Sequence, residues 1–303
     1  MQQNKRGLVD TKVLRDSDGC QREHDGQLRW LAMSIPDSYA LPIASAVTTN
    51  LEVPKRALAI GAHPDDVEFG CGGTLAKWAK AGCEILHLVL TDGSKGTWDP
   101  DTDQAELVVT RQREQREAAR LLGGTSPDHV QFLGWIDGEL DSGLRQRWEV
   151  AYWIRKFTPD VVLGHDPWRR YRIHPDHRHA GFLTTDGIVA ARDPKFFPEQ
   201  QLQPHRPTSL LLWEADEPDH VETIETVIEE KLRALLAHES QYATTMHIST
   251  LISAASSTEN NAYEAEEHDE IAQFRAAVLE RAAEAGKLCG VAAGEAFKHI
   301  ARL

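Results

Sequence analysis

The 303-residue chain is 41% hydrophobic and 26% charged, the composition of an ordinary soluble protein with room for a sizeable core. A formal charge of −14 argues against nucleic acid or an anionic membrane as the main partner, although local basic groups can still serve a small anionic substrate. Cys20, Cys71, Cys83 and Cys289 are scattered without a C-x-x-C pair, so neither a disulfide framework nor a zinc ribbon is indicated.

Residues 1–45 are polar and aperiodic, a loosely packed N-terminal extension in which Met33 offers an alternative translation start. They lack the apolar core of a signal peptide, and no run in the chain reaches bilayer length, so a cytoplasmic location without a membrane span is expected. Residues 46–303 read as a single domain. Its first strand, from Arg56 to Ile60, ends at Gly61, and a helical pattern begins at Gly72. Further strands are expected at 84–91, 130–134, 160–165, 209–215 and 220–224. Between and after them the spacing predicts helices over 104–122, 143–157, 176–191, 225–239 and 268–287. Residues 253–269 read as an acidic surface insert. This alternation specifies an α/β fold, a Rossmann-like, mostly parallel sheet with helices on both faces and a C-terminal helical addition.

Two loops carry unusual chemistry. His63, Asp65, Asp66 and Glu68 crowd the turn where the first strand hands over to its helix, at the sheet edge where open α/β folds bind ligands. Helix capping explains one or two of these acids, but not His63. The second loop, HPDH at 174–177, follows the fourth strand and reaches the same edge. His63, Asp66 and one of the two HPDH histidines then make a two-His, one-carboxylate set, which suits a catalytic zinc with an open position. Water bound there would have its pKa drawn to about 7. Asp65, beside the ligand but not needed for coordination, is the candidate general base. The remaining histidine could stabilise an oxyanion or protonate a leaving group.

AHPDDVE (62–68) and HPDHRHAG (174–181) together resemble the PIG-L, or LmbE-like, N-deacetylases, zinc hydrolases that include N-acetylglucosaminyl-phosphatidylinositol de-N-acetylase. LTDGSKG, RQREQREAARLLG, FLGWIDGEL and KLRALLAHESQ extend the similarity from Lys55 to Phe297. The resemblance implies His63, Asp66 and His177 as zinc ligands, Asp65 as base and His174 at the tetrahedral intermediate or leaving amine. It also implies Asp176 as the carboxylate that orients His174. The implied reaction is attack of metal-bound water on the acetamide carbonyl of an amino sugar or its glycoconjugate. Two histidines and a carboxylate also suit Fe2+.

Weaker candidates for substrate contact are Arg111, Arg113, Asp137, Lys95 and Trp98, with Arg169, Arg170 and Arg172 as a phosphate- or carboxylate-binding cluster. Each arginine has a solvated-face alternative. Cys71 reads as a small packed thiol, and His238 and Gln241 have no mechanism attached. The partner expected is a small N-acetylated sugar, and a homo-oligomer is compatible with the sequence. Competing readings are a zinc amidase for a larger sugar-thiol conjugate and a non-catalytic, metal-containing sugar-binding protein. A dinucleotide oxidoreductase rests on fold alone.

Overall fold

The computed structural model describes residues 47–124, 127–248 and 260–303. The expected extension at 1–45, with Met33, and residues 253–259 of the expected insert lie outside these. The strands are β1 (Thr48–Thr49), β2 (Arg56–Gly61), β3 (Glu84–Thr91), β4 (Val130–Trp135), β5 (Val161–His165), β6 (Ser209–Trp213), β7 (His220–Thr223) and β8 (Gly294–Ala301). They form one sheet in the order β1-β7-β8-β6-β5-β2-β3-β4, parallel except where β8 runs antiparallel to both β6 and β7. The helices are α1 (Asp66–Lys80), α2 (Gln104–Leu121), α3 (Leu144–Phe157), α4 (Pro175–Arg192), α5 (Ile228–Leu236) and α6 (Asn260–Lys287).

The central strands are continuous apolar runs because both faces of the sheet are covered. In β2, Leu58 and Ile60 join Val150, Ile154 and Leu183 of α3 and α4 on one face. Ala57 and Ala59 join Val67, Leu75 and Trp78 of α1 on the other. From β2 the chain moves outward through β3 and β4, then returns to β5 on the opposite side of β2. That reversal opens a crevice at the carboxyl ends of β2 and β5, the switch point where such sheets bind ligands.

Three differences from the sequence reading have physical causes. Helix α1 starts at Asp66, not Gly72, but it is broken at Cys71, whose backbone (φ −150°, ψ 16°) is non-helical. Glu295 of β8 caps the second half, accepting from Gly73 N at 2.9 Å and Thr74 N at 2.7 Å. Lys231 of α5 donates to the freed Phe69 carbonyl at 2.8 Å and to Glu295 at 2.6 Å. A buried ion pair is thus wedged into the helix ladder, and the Gly72 start is the start of the second half. Second, the chain does not finish on its last helix: β8 follows and inserts between β6 and β7. Third, α6 begins at Asn260, so the second part of the expected insert has a helical backbone.

Gly70 sits where α1 crosses β6. A Cβ there would lie 2.5 Å from Trp213 Cδ2, and that indole is almost fully buried and cannot yield. Gly70→Ala is therefore expected to destabilise the fold by about 1–3 kcal/mol, read from urea unfolding midpoints. Wild-type stability in this variant would show that the contact relaxes freely.

Candidate metal centre

The β2–α1 turn is built under strain. Asp65 has φ +101°, ψ −28°, and its side chain makes no capping bond, so the plain helix-cap role does not describe it. Such a backbone costs on the order of 1–3 kcal/mol and persists only when its surroundings impose it. Here the Asp65 N–H donates to Gln115 Oε1 at 2.9 Å, and Arg111 Nη2 donates to the Pro64 carbonyl at 2.7 Å. Both clamps come from α2. Asp66 Oδ2 accepts from the His63 N–H at 2.7 Å and closes the turn.

Three side chains then converge. His63 Nδ1 lies 3.2 Å from His177 Nε2 and 3.4 Å from Asp66 Oδ2, and His177 Nε2 lies 3.2 Å from Asp66 Oδ1. Ligands at the Zn–N distance of a tetrahedral site stand about 3.3–3.4 Å apart. The spacing and the N/O chemistry of these donors fit zinc.

Other groupings come within ligand reach: Asp66 with His165 and His177, His63 with His174 and His177, and His63 with Asp137 and Asp176. Donor directions separate most of them. His165 Nδ1 accepts from Trp213 Nε1 at 3.0 Å and faces Arg172 Nη2 at 3.2 Å. Its proton therefore resides on Nε2, 3.2 Å from Asp66 Oδ2, and a protonated nitrogen has no lone pair to offer a metal. His63 Nε2 faces Asp176 Oδ2 at 3.0 Å and Asp137 Oδ1 at 3.1 Å. Two acceptor-only carboxylates keep a proton on Nε2 and leave Nδ1 for a metal. Those carboxylates are otherwise engaged: Asp176 accepts from the Gly138 and Leu140 N–H groups, at 2.6 and 3.3 Å, and Asp137 from Lys95 N at 3.1 Å.

The electrostatics follow from this wiring. Burial disfavours a charge on His63, but its bonds to Asp137, Asp176 and Asp66 prevail and raise its pKa well above the usual value, so a metal would have to displace a proton from Nδ1. Burial pushes His177 down to about 4, so the ring is neutral and ready to ligate. Burial works against ionised Asp66, yet the adjacent His177 and His165 hold its carboxyl well below the usual range. Asp65 goes the other way: burial pushes it up to about 6, opposed by the Arg111 guanidinium 3.6 Å away. Neighbouring carboxylates with opposite shifts suit opposite tasks, one to bind and one to take a proton.

The structure corrects several sequence expectations. Asp176 is bonded to His63 rather than orienting His174. The His174 ring instead stacks on His177 with centroids 4.7 Å apart, stands edge-on to His63 and faces the cleft. Arg111 borders the cleft, but its Nη atoms are spent on the Pro64 and Gly93 carbonyls, so it braces the turn instead of reaching for a sugar. Arg113 is exposed. Lys95 is paired with Glu139 at 2.9 Å, and Asp137 lies against His63. Each arginine of the cluster has a carboxylate partner: Arg169 and Arg172 share Glu214, and Arg170 pairs with Asp216. The sequence reading places Glu68 in the crowded turn but gives it no role, and Gln115 and His165 are not among its candidates; His165 carries a usable signal, an ionisable residue ending a buried strand at the metal edge.

The cleft over these groups has a volume of about 910 Å³ and is bordered by Trp98, His174, Trp213 and Gln241. No helix of the described residues is long and apolar enough to cross a membrane.

Comparison with known proteins agrees with this geometry. The family model for GlcNAc-PI de-N-acetylase, PIG-L, matches residues 58–188. The diacetylchitobiose deacetylase of Thermococcus kodakarensis is 38% identical over 191 residues, covering 62% of this chain and 70% of its own. The 1D-myo-inositol 2-acetamido-2-deoxy-alpha-D-glucopyranoside deacetylase of Rhodococcus erythropolis is 30% identical over 162 residues, 45% of this chain and 54% of that one. Among solved structures, N,N'-diacetylchitobiose deacetylase from Pyrococcus horikoshii, in complex with an inhibitor, aligns with a TM-score of 0.69 at 29% identity. That alignment covers 82% of this chain and 84% of the other.

Proposed function

The chain belongs to the PIG-L family of de-N-acetylases, and from that premise we propose a zinc-dependent hydrolase that removes the N-acetyl group from a neutral amino sugar or its glycoconjugate. The observation that carries this reading is the convergence of His63 Nδ1, Asp66 and His177 Nε2 at zinc-ligand spacing, with the unliganded, raised-pKa Asp65 beside them.

His63, Asp66 and His177 would hold the metal. When bound, zinc would supply an acidified water and polarise the acyl oxygen. Asp65, buried beside the cleft with its carboxyl pushed up to about 6, would accept the proton of the attacking water as the acetyl carbon gains its oxygen. The carbon–nitrogen bond then breaks, and the sugar nitrogen leaves as an amine after gaining a proton. His174, open to the cleft, faces the developing oxyanion or the leaving nitrogen. Asp176 and Asp137 orient His63 through its Nε2–H. Because the loop arginines are already engaged by Glu214 and Asp216, a phosphate would have to compete with those carboxylates, and an uncharged glycan suits the cleft better. A cytoplasmic location is part of the same proposal.

The test is acetate release from N,N'-diacetylchitobiose, N-acetylglucosamine and a phosphorylated N-acetylglucosamine. We expect acetate from the neutral sugars, abolished by chelation and restored by zinc. Release of a larger acid from other amides, with none of acetate, would replace this reading with the amidase.

A further inference from the structure

Two buried side chains that do not border the cleft, Glu68 and Gln115, form a hydrogen-bonded chain ending on the backbone of Asp65, and a third, His238, lies against its far end without a hydrogen bond. His238, which follows α5, is fully buried, and its Nε2 lies 3.4 Å from Glu68 Oε2. Glu68, fully buried on α1, accepts at Oε1 from Gln115 Nε2 at 2.8 Å. Gln115, fully buried on α2, accepts at Oε1 from the Asp65 N–H at 2.9 Å. His87 packs beside them, its Nδ1 3.4 Å from Gln115 Nε2.

The direction of this chain is set by chemistry. A glutamine amide has one donating and one accepting end, whereas an ionised carboxylate only accepts. Glu68 therefore draws the NH₂ end of Gln115 toward itself and presents the carbonyl end to the Asp65 N–H. That N–H belongs to the residue whose φ of +101° no side-chain cap supports. The turn that follows His238 is tied in from the other side: Ser240 N and Oγ donate to Glu114 of α2 at 3.0 and 2.6 Å, and Gln241 Nε2 donates to the Gly96 carbonyl at 3.1 Å. The HESQ stretch thus joins α1, α2 and the loop after β3 around the strained residue.

We propose that Glu68 and Gln115, backed by His238, are positioning residues that hold the strained Asp65 backbone and so aim its carboxylate at the water to be deprotonated. The proposal rests on Asp65 being the base. It explains why a buried carboxylate, a buried glutamine and a buried histidine without a role in metal binding stand behind that residue.

The test is an exchange of the amide and the acid. Gln115→Glu replaces the amide donor with a second carboxyl, and the buried pair breaks the relay once both are ionised, so the variants are compared across the alkaline range where the pair no longer shares a proton. Glu68→Gln keeps an acceptor for Gln115. In the double variant, the new amide at position 68 donates to the new carboxylate at 115, whose other oxygen still accepts from the Asp65 N–H. Full-length, zinc-loaded proteins are assayed on N,N'-diacetylchitobiose for kcat and KM, with zinc content and melting temperature measured on the same samples. Gln115→Glu is expected to lose on the order of a hundredfold in kcat, with KM and zinc content near wild type, and the double variant to regain most of the loss. Undiminished kcat in Gln115→Glu, or a double variant no better than the single one, would overturn the relay while leaving the deacetylase reading in place. If Gln115→Glu unfolds, recovery of kcat in the double variant decides in the same way. A zinc-loaded wild type that releases no acetate would remove the base assignment, and the relay with it.

Discussion

Zinc-loaded Asp65→Asn is expected to keep its metal and lose roughly a thousandfold in kcat, within the range for removing a general base. That is about 4 kcal/mol of transition-state stabilisation. Asparagine is the informative replacement because it tolerates positive φ, so the strained turn survives and only the proton acceptor disappears. No side-chain bond caps α1 from Asp65, and its carboxylate lies near Arg111 at the cleft, so little else depends on its charge. Steady-state kinetics with metal analysis on the same preparation make the measurement. An Asp65→Asn protein as active as wild type would refute the base. One that had lost its zinc would make Asp65 a ligand.

Asp66→Ala acts on the other half of the pair. It removes the carboxylate that meets His63 Nδ1, His177 Nε2 and His165 Nε2, and with it the bond to the His63 N–H. Zinc affinity is expected to fall well beyond the roughly 10–100-fold typical of losing an outer-shell partner, with activity following metal content. Asp176→Asn provides the comparison, since it leaves the three ligands in place and changes one of the two carboxylates that face His63 Nε2, and it should stay within that smaller range. Equal zinc affinity in Asp66→Ala and wild type, by chelator competition, would remove Asp66 from the ligand set.

Much of the fold was legible because parallel strands buried on both faces must be apolar throughout. LVL in β3 and VVLGH in β5 can hardly be anything else. The two ionisable loops that meet at the cleft were legible for the opposite reason, since several ionisable residues in a strand-to-helix turn have few structural uses. Helix α1 was hidden by Gly70, Gly72 and Gly73, poor helix formers. Gly70 and Gly73 are there because Trp213 and Ile224 leave no room for a Cβ. Strand β8 was hidden because Glu295 and Lys298 look solvent-facing in sequence, yet they cap α1 and pair with Asp219.

The wiring behind the site was the least legible part. Whether Arg111 reaches a sugar or braces two carbonyls depends on which way α2 faces, and a helical pattern with several arginines does not decide that. Asp176 was assigned to its neighbour in sequence, His174, whereas its bond crosses the sheet edge to His63. Glu68, Gln115 and His238 come from α1, α2 and the turn after α5, and only folding brings them into line behind Asp65.

The measurement that tests the central claim most directly is anomalous diffraction at the zinc edge from crystals of the zinc-loaded protein. One peak is expected, bonded to His63 Nδ1, His177 Nε2 and Asp66, with Asp65 close by but uncoordinated. A peak bonded to His165, or one seated between Asp137 and Asp176, would contradict the account.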